Sequence, residues 1–202
     1  MRTILASSLL ALSFSLAAPA MAKSSSFDST VTAPLTSAVK IEVVLSEDMA
    51  HRANNLPKKL SDRSNARSLR SGFSGNGFYG DKDLERLTQR LESKLERRLA
   101  KKGIEVSDAA PTVLRVTIED AKPNRPTFRQ LSVETGLSFQ SFAIGGAEVQ
   151  AELIAAGGTS LGTMSYEWYE HDIRDAQFGG TWSDAHRAFG WFARKAANTL
   201  AH

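Results

Sequence analysis

Apolar residues alternate along some stretches of this chain and recur at helical spacing along others, and the order of those stretches predicts an architecture. Val39 to Leu45 (VKIEVVL) puts Val39, Ile41 and Val43 on one face, with the β-branched enrichment of a strand. From Asp81 to Lys102 the period changes. Leu84, Leu87, Leu91, Leu95 and Leu99 recur at three, four, four and four residues, which is one face of an α-helix. Asp81 stands where a cap is needed, Asp83 and Glu85 suit the positive end of the dipole, and Arg97, Arg98, Lys101 and Lys102 suit the negative end. Gly103 supplies the stop.

Alternation returns over Val113 to Glu119 (VLRVTIE) and ends before Pro123 and Pro126, which forbid its continuation. Ala147 to Ile154 (AEVQAELI) alternates apolar residues with Glu and Gln. Gly157-Gly158-Thr159 has hairpin-turn chemistry, and Leu161 to Tyr169 returns as a further strand. Ser183 to Leu200 is helical, with Ala185, Phe189, Phe192, Ala196 and Leu200 on one face and Ser183 or Thr181 placed to cap it. The order β-α-β-β-β-α predicts an α+β fold, a small, mostly antiparallel sheet with two helices packed on one face. The polar, basic stretch Glu47 to Arg70 reads as a long loop with a short helical turn.

The N-terminus is patterned differently. Arg2, the apolar run Ile4 to Leu16 and Ala20-Met21-Ala22 have the three parts of a secretory signal peptide. Its apolar core is shorter than the roughly 20 residues that span a bilayer. The expected organisation is a signal peptide over 1–22 cleaved after Ala22, a flexible lead-in over 23–37 rich in Ser and Thr, and one domain over 38–202 with no transmembrane segment. The expected location is the periplasm or the medium.

Composition narrows the chemistry. Cysteine is absent, which excludes disulfides, thiolate metal sites, thiol nucleophiles and a lipidated cysteine at the signal boundary. The formal charge of +3 hides an asymmetry. His51 to Lys102 holds 14 Lys and Arg against 6 Asp and Glu, whereas Gly103 to His202 holds 8 against 12. A basic half favours anionic partners, although most such runs are solvated helix faces. Nucleic acid is not expected, because Lys and Arg are interleaved with Glu92 and Glu96 and no stacking aromatics accompany them.

Three groups of residues invite a chemical reading. Gly75-Asn76-Gly77-Phe78-Tyr79-Gly80 matches G-x-G-x-x-G, but no strand precedes it and no acidic residue ends a second strand, so no dinucleotide cofactor is expected. Its aromatic residues either tuck under the sheet or stay out, and Arg67, Arg70, Phe73, Phe78 and Tyr79 are the candidate partner contacts. Glu170-His171-Asp172 is the densest acid/base cluster, yet adjacent strand residues face opposite ways and no i, i+4 histidine pair exists for a metal. It reads as a polar strand end closing over Arg174. Trp168, Trp182 and Trp191 with Phe189 and Phe192 read as core between the last strand and last helix, with one indole partly exposed.

Val113 to Pro126 (VLRVTIEDAKPNRP) and Gly145 to Leu153 (GGAEVQAEL) resemble bacterial envelope proteins of domain-of-unknown-function family 3313. Those pair a strand ending D-A-K-P-x-x-P with a strand opening G-G-A. The resemblance spans about half of the chain beyond residue 22 and implies an envelope-facing domain. It contributes no catalytic residue, and this chain departs from lipoprotein relatives in lacking the boundary cysteine. The function expected is thus non-catalytic binding, with no catalytic, cofactor or metal residue assigned and an envelope protein or anionic envelope polymer as partner. The alternatives are a hydrolase of envelope material using Glu170, His171 or Asp172, and a polymer binder using Arg63, Arg67 and Arg70.

Overall fold

A computed structural model describes residues 26–55 and 77–202. Five strands form one sheet: β1 (Ser26–Ser29), β2 (Val39–Leu45), β3 (Thr112–Lys122), β4 (Gly146–Ile154) and β5 (Ser160–Tyr169), in the order β1-β5-β4-β3-β2. Three of the four pairings are antiparallel, and β2 runs parallel to β3. The sheet is therefore mixed, because a long crossover carrying helices separates β2 from β3. The helices are α1 (Glu47–Asn54), α2 (Asp81–Ala100), α3 (Phe128–Leu131), α4 (Ile173–Ala176) and α5 (Ser183–Ala201).

Register explains the core. Phe27, Tyr166, Val149, Ile118 and Leu45 stand in one row across all five strands. Val43, Val116, Ala151 and Met164 form the next row, and Ile41, Leu114 and Leu153 a third. The five leucines of α2 and Phe189, Phe192, Ala196 and Leu200 of α5 are buried with these rows in one cluster, so both long helices cover the same face. The opposite face is polar. Arg115, Thr117, Gln150, Glu152, Thr163 and Ser165 line a shallow depression there.

Several expectations are corrected. Ser26 to Ser29, assigned to the flexible lead-in, is the edge strand β1, and the segment after it is tied down by Leu35 N–H donating to Leu200 O at 2.8 Å. Only Phe27 in that tetrapeptide is apolar; the open edge of β5 supplies the strand's hydrogen bonds. Three short helices add to the two expected. The first, α1, falls in the Glu47 to Arg70 stretch where a short helical turn is expected: Ser46 caps it by accepting from Met49 N at 3.1 Å, and Met49 and Ala53 are buried. The expected caps of the long helices are not used. Gly80 and Trp182 stand at those positions without side-chain capping bonds, and Asp81 instead accepts from Asn54 Nδ2. A bulge at Glu119, between Ile118 and Asp120, shifts the alternation of β3 so that Ala121 is buried.

Candidate functional site

The C-terminal ends of β3 and β5 and the N-terminal ends of β4, α2 and α5 meet at one end of the domain. Their loops are held by two residues of the Lys122-Pro123-Asn124-Arg125-Pro126 turn. Asn124, fully buried, donates from Nδ2 to Asp184 Oδ2 and accepts at Oδ1 from Asp184 N at 2.9 Å. Asp184 Oδ2 also accepts from Gly145 N at 3.2 Å, while Asn124 N donates to Thr181 O and Ala143 N to Asn124 O. A buried carboxylate with this many donors is satisfied, and it fixes three chain segments against one another.

Arg125 does the same for two outer loops. Its guanidinium donates to Gly179 O at 3.2 Å, to Gln177 O and to Gln140 O at 2.8 Å. Thr127 and Gln130 form a reciprocal capping box on α3, and Gln130 Nε2 donates to Gly77 O at 3.2 Å, which joins α3 to the turn before α2.

These clamps hold three phenylalanines in solvent: Phe178 is 86% exposed, Phe128 79% and Phe139 70%. Phe128 and Phe139 meet edge to face, with centroids 5.7 Å apart. Beneath them lies a groove of about 550 Å³ whose lining includes Arg86, Arg125, Phe128, Phe139, Trp182 and His186. Its floor is fixed by Trp182 Nε1 donating to Asp83 Oδ1 at 3.1 Å. Burial and the nearby Arg90 and Lys94 cations lower the His186 pKa to about 4, so its ring is neutral at pH 7. Sequence reasoning missed all three phenylalanines. Their one signal is an aromatic residue isolated among polar and glycine neighbours, as in PTFRQ, LSFQS and AQFGG, where it has no periodic apolar partner.

Of the candidate contacts, Arg67, Arg70 and Phe73 lie outside the described residues, as does Arg63. Phe78 and Tyr79 take the tucked-in alternative. Tyr79 is fully buried and edge-on to Trp182 at 5.2 Å, and Phe78 lies under the Arg129 guanidinium. Neither ring is presented to a partner. The physical cause is the turn itself: Gly77 and Phe78 take left-handed backbone at φ 71° and 63°, which swings both rings inward. A Cβ on Gly77 would also lie 2.8 Å from Arg52 O. Two amides of the motif are engaged within the fold: Phe78 N donates to Arg52 O at 2.5 Å and Gly80 N to Ala53 O at 2.8 Å.

The Glu170-His171-Asp172 cluster is brought together, but as structure. Glu170 accepts from His171 N, Asp172 N and Arg187 Nη1, the last at 3.0 Å. Asp172 caps α4 and takes a two-pronged bond from Arg174, whose hydrogen bonds hold the carboxylate pKa down to about 2. His171 is exposed on the following turn. Among the described residues no group of three His, Asp or Glu side chains converges to hold a metal ion. Trp182 is core, while Trp168 and Trp191 stack edge to face at 4.6 Å and stay partly exposed.

The residues that carry the family resemblance have architectural roles. Asp120 accepts from Arg52 at 2.7 Å and from Tyr169 Oη at 2.8 Å, and Asn124 is the clamp already described. Gly145 and Gly146 leave no room for a side chain: a Cβ on Gly145 would lie 2.7 Å from Lys122 O, and one on Gly146 would collide with Trp168 O.

No family model and no curated protein matches the chain. Among solved structures, it is similar to a PelC dodecamer from Paraburkholderia phytofirmans, with a TM-score of 0.46 and 11% identity over 88% of this chain and 98% of that one. A single-substitution variant of the same PelC, also a dodecamer, gives the same values. Among the described residues no helix is long and apolar enough to cross a membrane.

Proposed function

We propose that this chain is an exported protein of the bacterial envelope that works by binding another envelope protein, without catalysing a reaction. The observation that carries the reading is the loop end, where three exposed phenylalanines are displayed on segments held by the hydrogen bonds of Arg125 and Gln130. Apolar rings left in water are unfavourable unless something covers them, and rigid aromatic anchors are what protein interfaces use at their centres. Pre-ordering the loops lowers the entropy lost on association. The signal-type N-terminus and the resemblance to envelope proteins support the compartment. The engagement of Glu170 and Asp172 with Arg187 and Arg174 supports binding over a hydrolase.

The test is a photo-reactive phenylalanine analogue placed at 128, 139 or 178 in the producing cells, with Ser165 on the outer sheet face as control. The expected outcome is a protein adduct from the loop-end positions that disappears when the other two phenylalanines are changed to Ser. Adducts of equal yield at Ser165, or none at any of the three, would set the reading aside.

A further inference from the structure

The cations of α2 are interleaved with acids in sequence but separated from its glutamates in space. At 100° per residue, Arg86, Arg90, Lys94, Arg97 and Lys101 form one stripe, with Asp83, which accepts from Trp182 Nε1, at its N-terminal end, whereas Glu85, Glu92 and Glu96 fall roughly 160° or more from Lys94 around the axis. The stripe faces α5. Lys94, Arg97, Arg98 and Lys101 line a cavity of about 220 Å³ together with Gly190, and a Cβ on Gly190 would lie 3.4 Å from Lys94 Nζ. At the other end of the stripe Arg86 lines the loop-end groove beside His186. Among the described residues none of these five cations makes an ion pair with a carboxylate, although Lys40, Arg52, Arg115, Lys122, Arg174 and Arg187 do. Burial and the neighbouring Arg90, Arg97 and Arg98 lower the pKa of Lys94, which is what crowding of like charge without a counterion produces.

We infer that the basic face of α2 beside α5 is a track for an acidic polysaccharide, its carboxylates lying along Arg86, Arg90, Lys94, Arg97 and Lys101. The stripe runs about 22 Å and offers one cation per helical turn, a repeat of about 5.4 Å that is on the scale of a single sugar. An extended polyuronate carries one carboxylate per sugar, so its charge density along the chain matches that of the stripe. Single-stranded nucleic acid is the weaker fit, because no aromatic side chain lines the cavity at Lys94 to Lys101 for bases to stack on. Only the Arg86 end of this surface adjoins the groove of Phe128 and Phe139, and the inference does not rest on their binding a protein.

The experiment is fluorescence anisotropy of a labelled oligogalacturonate with the purified protein at low salt. Binding is expected, weakening as salt is raised and absent for an uncharged dextran. Lys94→Gln/Arg97→Gln/Lys101→Gln is expected to weaken it by roughly tenfold or more. Gly190→Glu sets a carboxylate beside Lys94 and is expected to weaken binding, with an unaltered urea-unfolding curve separating this from a folding defect. Glu85→Gln/Glu92→Gln/Glu96→Gln and the three Phe→Ser changes are expected to leave affinity undiminished. Failure of the wild-type protein to bind above dextran, or unaltered binding by the Lys94 and Gly190 variants, would overturn the inference. Tighter binding of a single-stranded DNA of equal charge would overturn the assignment of the polymer.

Discussion

Asn124 joins segments that lie 60 residues apart, and the consequences of removing it can be stated. Asn124→Ala leaves Asp184 Oδ2 with only the Gly145 amide, while Arg187 Nη1 is 3.8 Å from Oδ1. Breaking a buried, hydrogen-bonded carboxylate pairing costs about 2–4 kcal/mol, so urea unfolding of the variant should show a loss of that size. His186 makes a pH-dependent prediction. Its folded pKa, about 4, is below the unfolded value of about 6.5, so below pH 6.5 the unfolded chain takes up a proton that the folded one does not. Stability is therefore complete above pH 6.5 and lost as pH falls toward 4. The ring is only partly buried, and solvent screening limits the loss to about 1–2 kcal/mol. In His186→Gln, unfolding curves at the two pH values should differ by that much less than in the wild type. Neither residue was legible in the sequence as a participant in anything. A lone Asn between prolines carries no sign of a partner 60 positions away, and a lone His carries no sign of its burial.

At the scale of elements, legibility followed periodicity. The start of α2 and both ends of α5 lie where the leucine and phenylalanine spacings put them, because a long apolar stripe must be buried whatever the tertiary context. The strands from β2 to β5 were legible through alternation. β1 was not, since its four residues are strand only because β5 offers an edge. α3 could have been found from its Thr127-x-x-Gln130 capping box, a local signal that its Pro126 neighbour obscured. The contrast between buried and exposed leucines makes the element-level prediction. Leu91→Ala, at the centre of the α2 stripe and fully buried, should cost about 2–5 kcal/mol in thermal or urea unfolding. Leu161→Ser, near the solvent-exposed start of β5, should change stability by about 0.5 kcal/mol or less.

At the scale of the molecule, the fold separates its surfaces. One sheet face is committed to the core, the other is polar, and the loop end collects exposed aromatics that no helical or strand pattern announces. The candidate site was illegible for that reason. Phe78 and Tyr79 drew attention by sitting in a glycine-rich motif, yet the same glycine-rich turn folds them inward; Phe128, at the start of α3, and Phe139 and Phe178, outside the helices and strands, stay out. Charge shows the same gap between sequence and space, since Glu85, Glu92 and Glu96 lie on a different side of α2 from Arg90, Lys94 and Arg97.

The absence of cysteine allows one measurement to test both export and binding, because any introduced thiol is unique. Phe128→Cys, Phe139→Cys, Phe178→Cys and, as control, Ser165→Cys would be treated in intact cells with a maleimide that cannot cross the cytoplasmic membrane. Labelling rates would be compared with those of the purified protein. Export and a covered loop end predict that the control thiol at position 165 reacts without lysis, while the three loop-end thiols react much more slowly in cells than when purified. No labelling at any position until the cytoplasmic membrane is broken, or equal protection ratios at all four, would contradict the account.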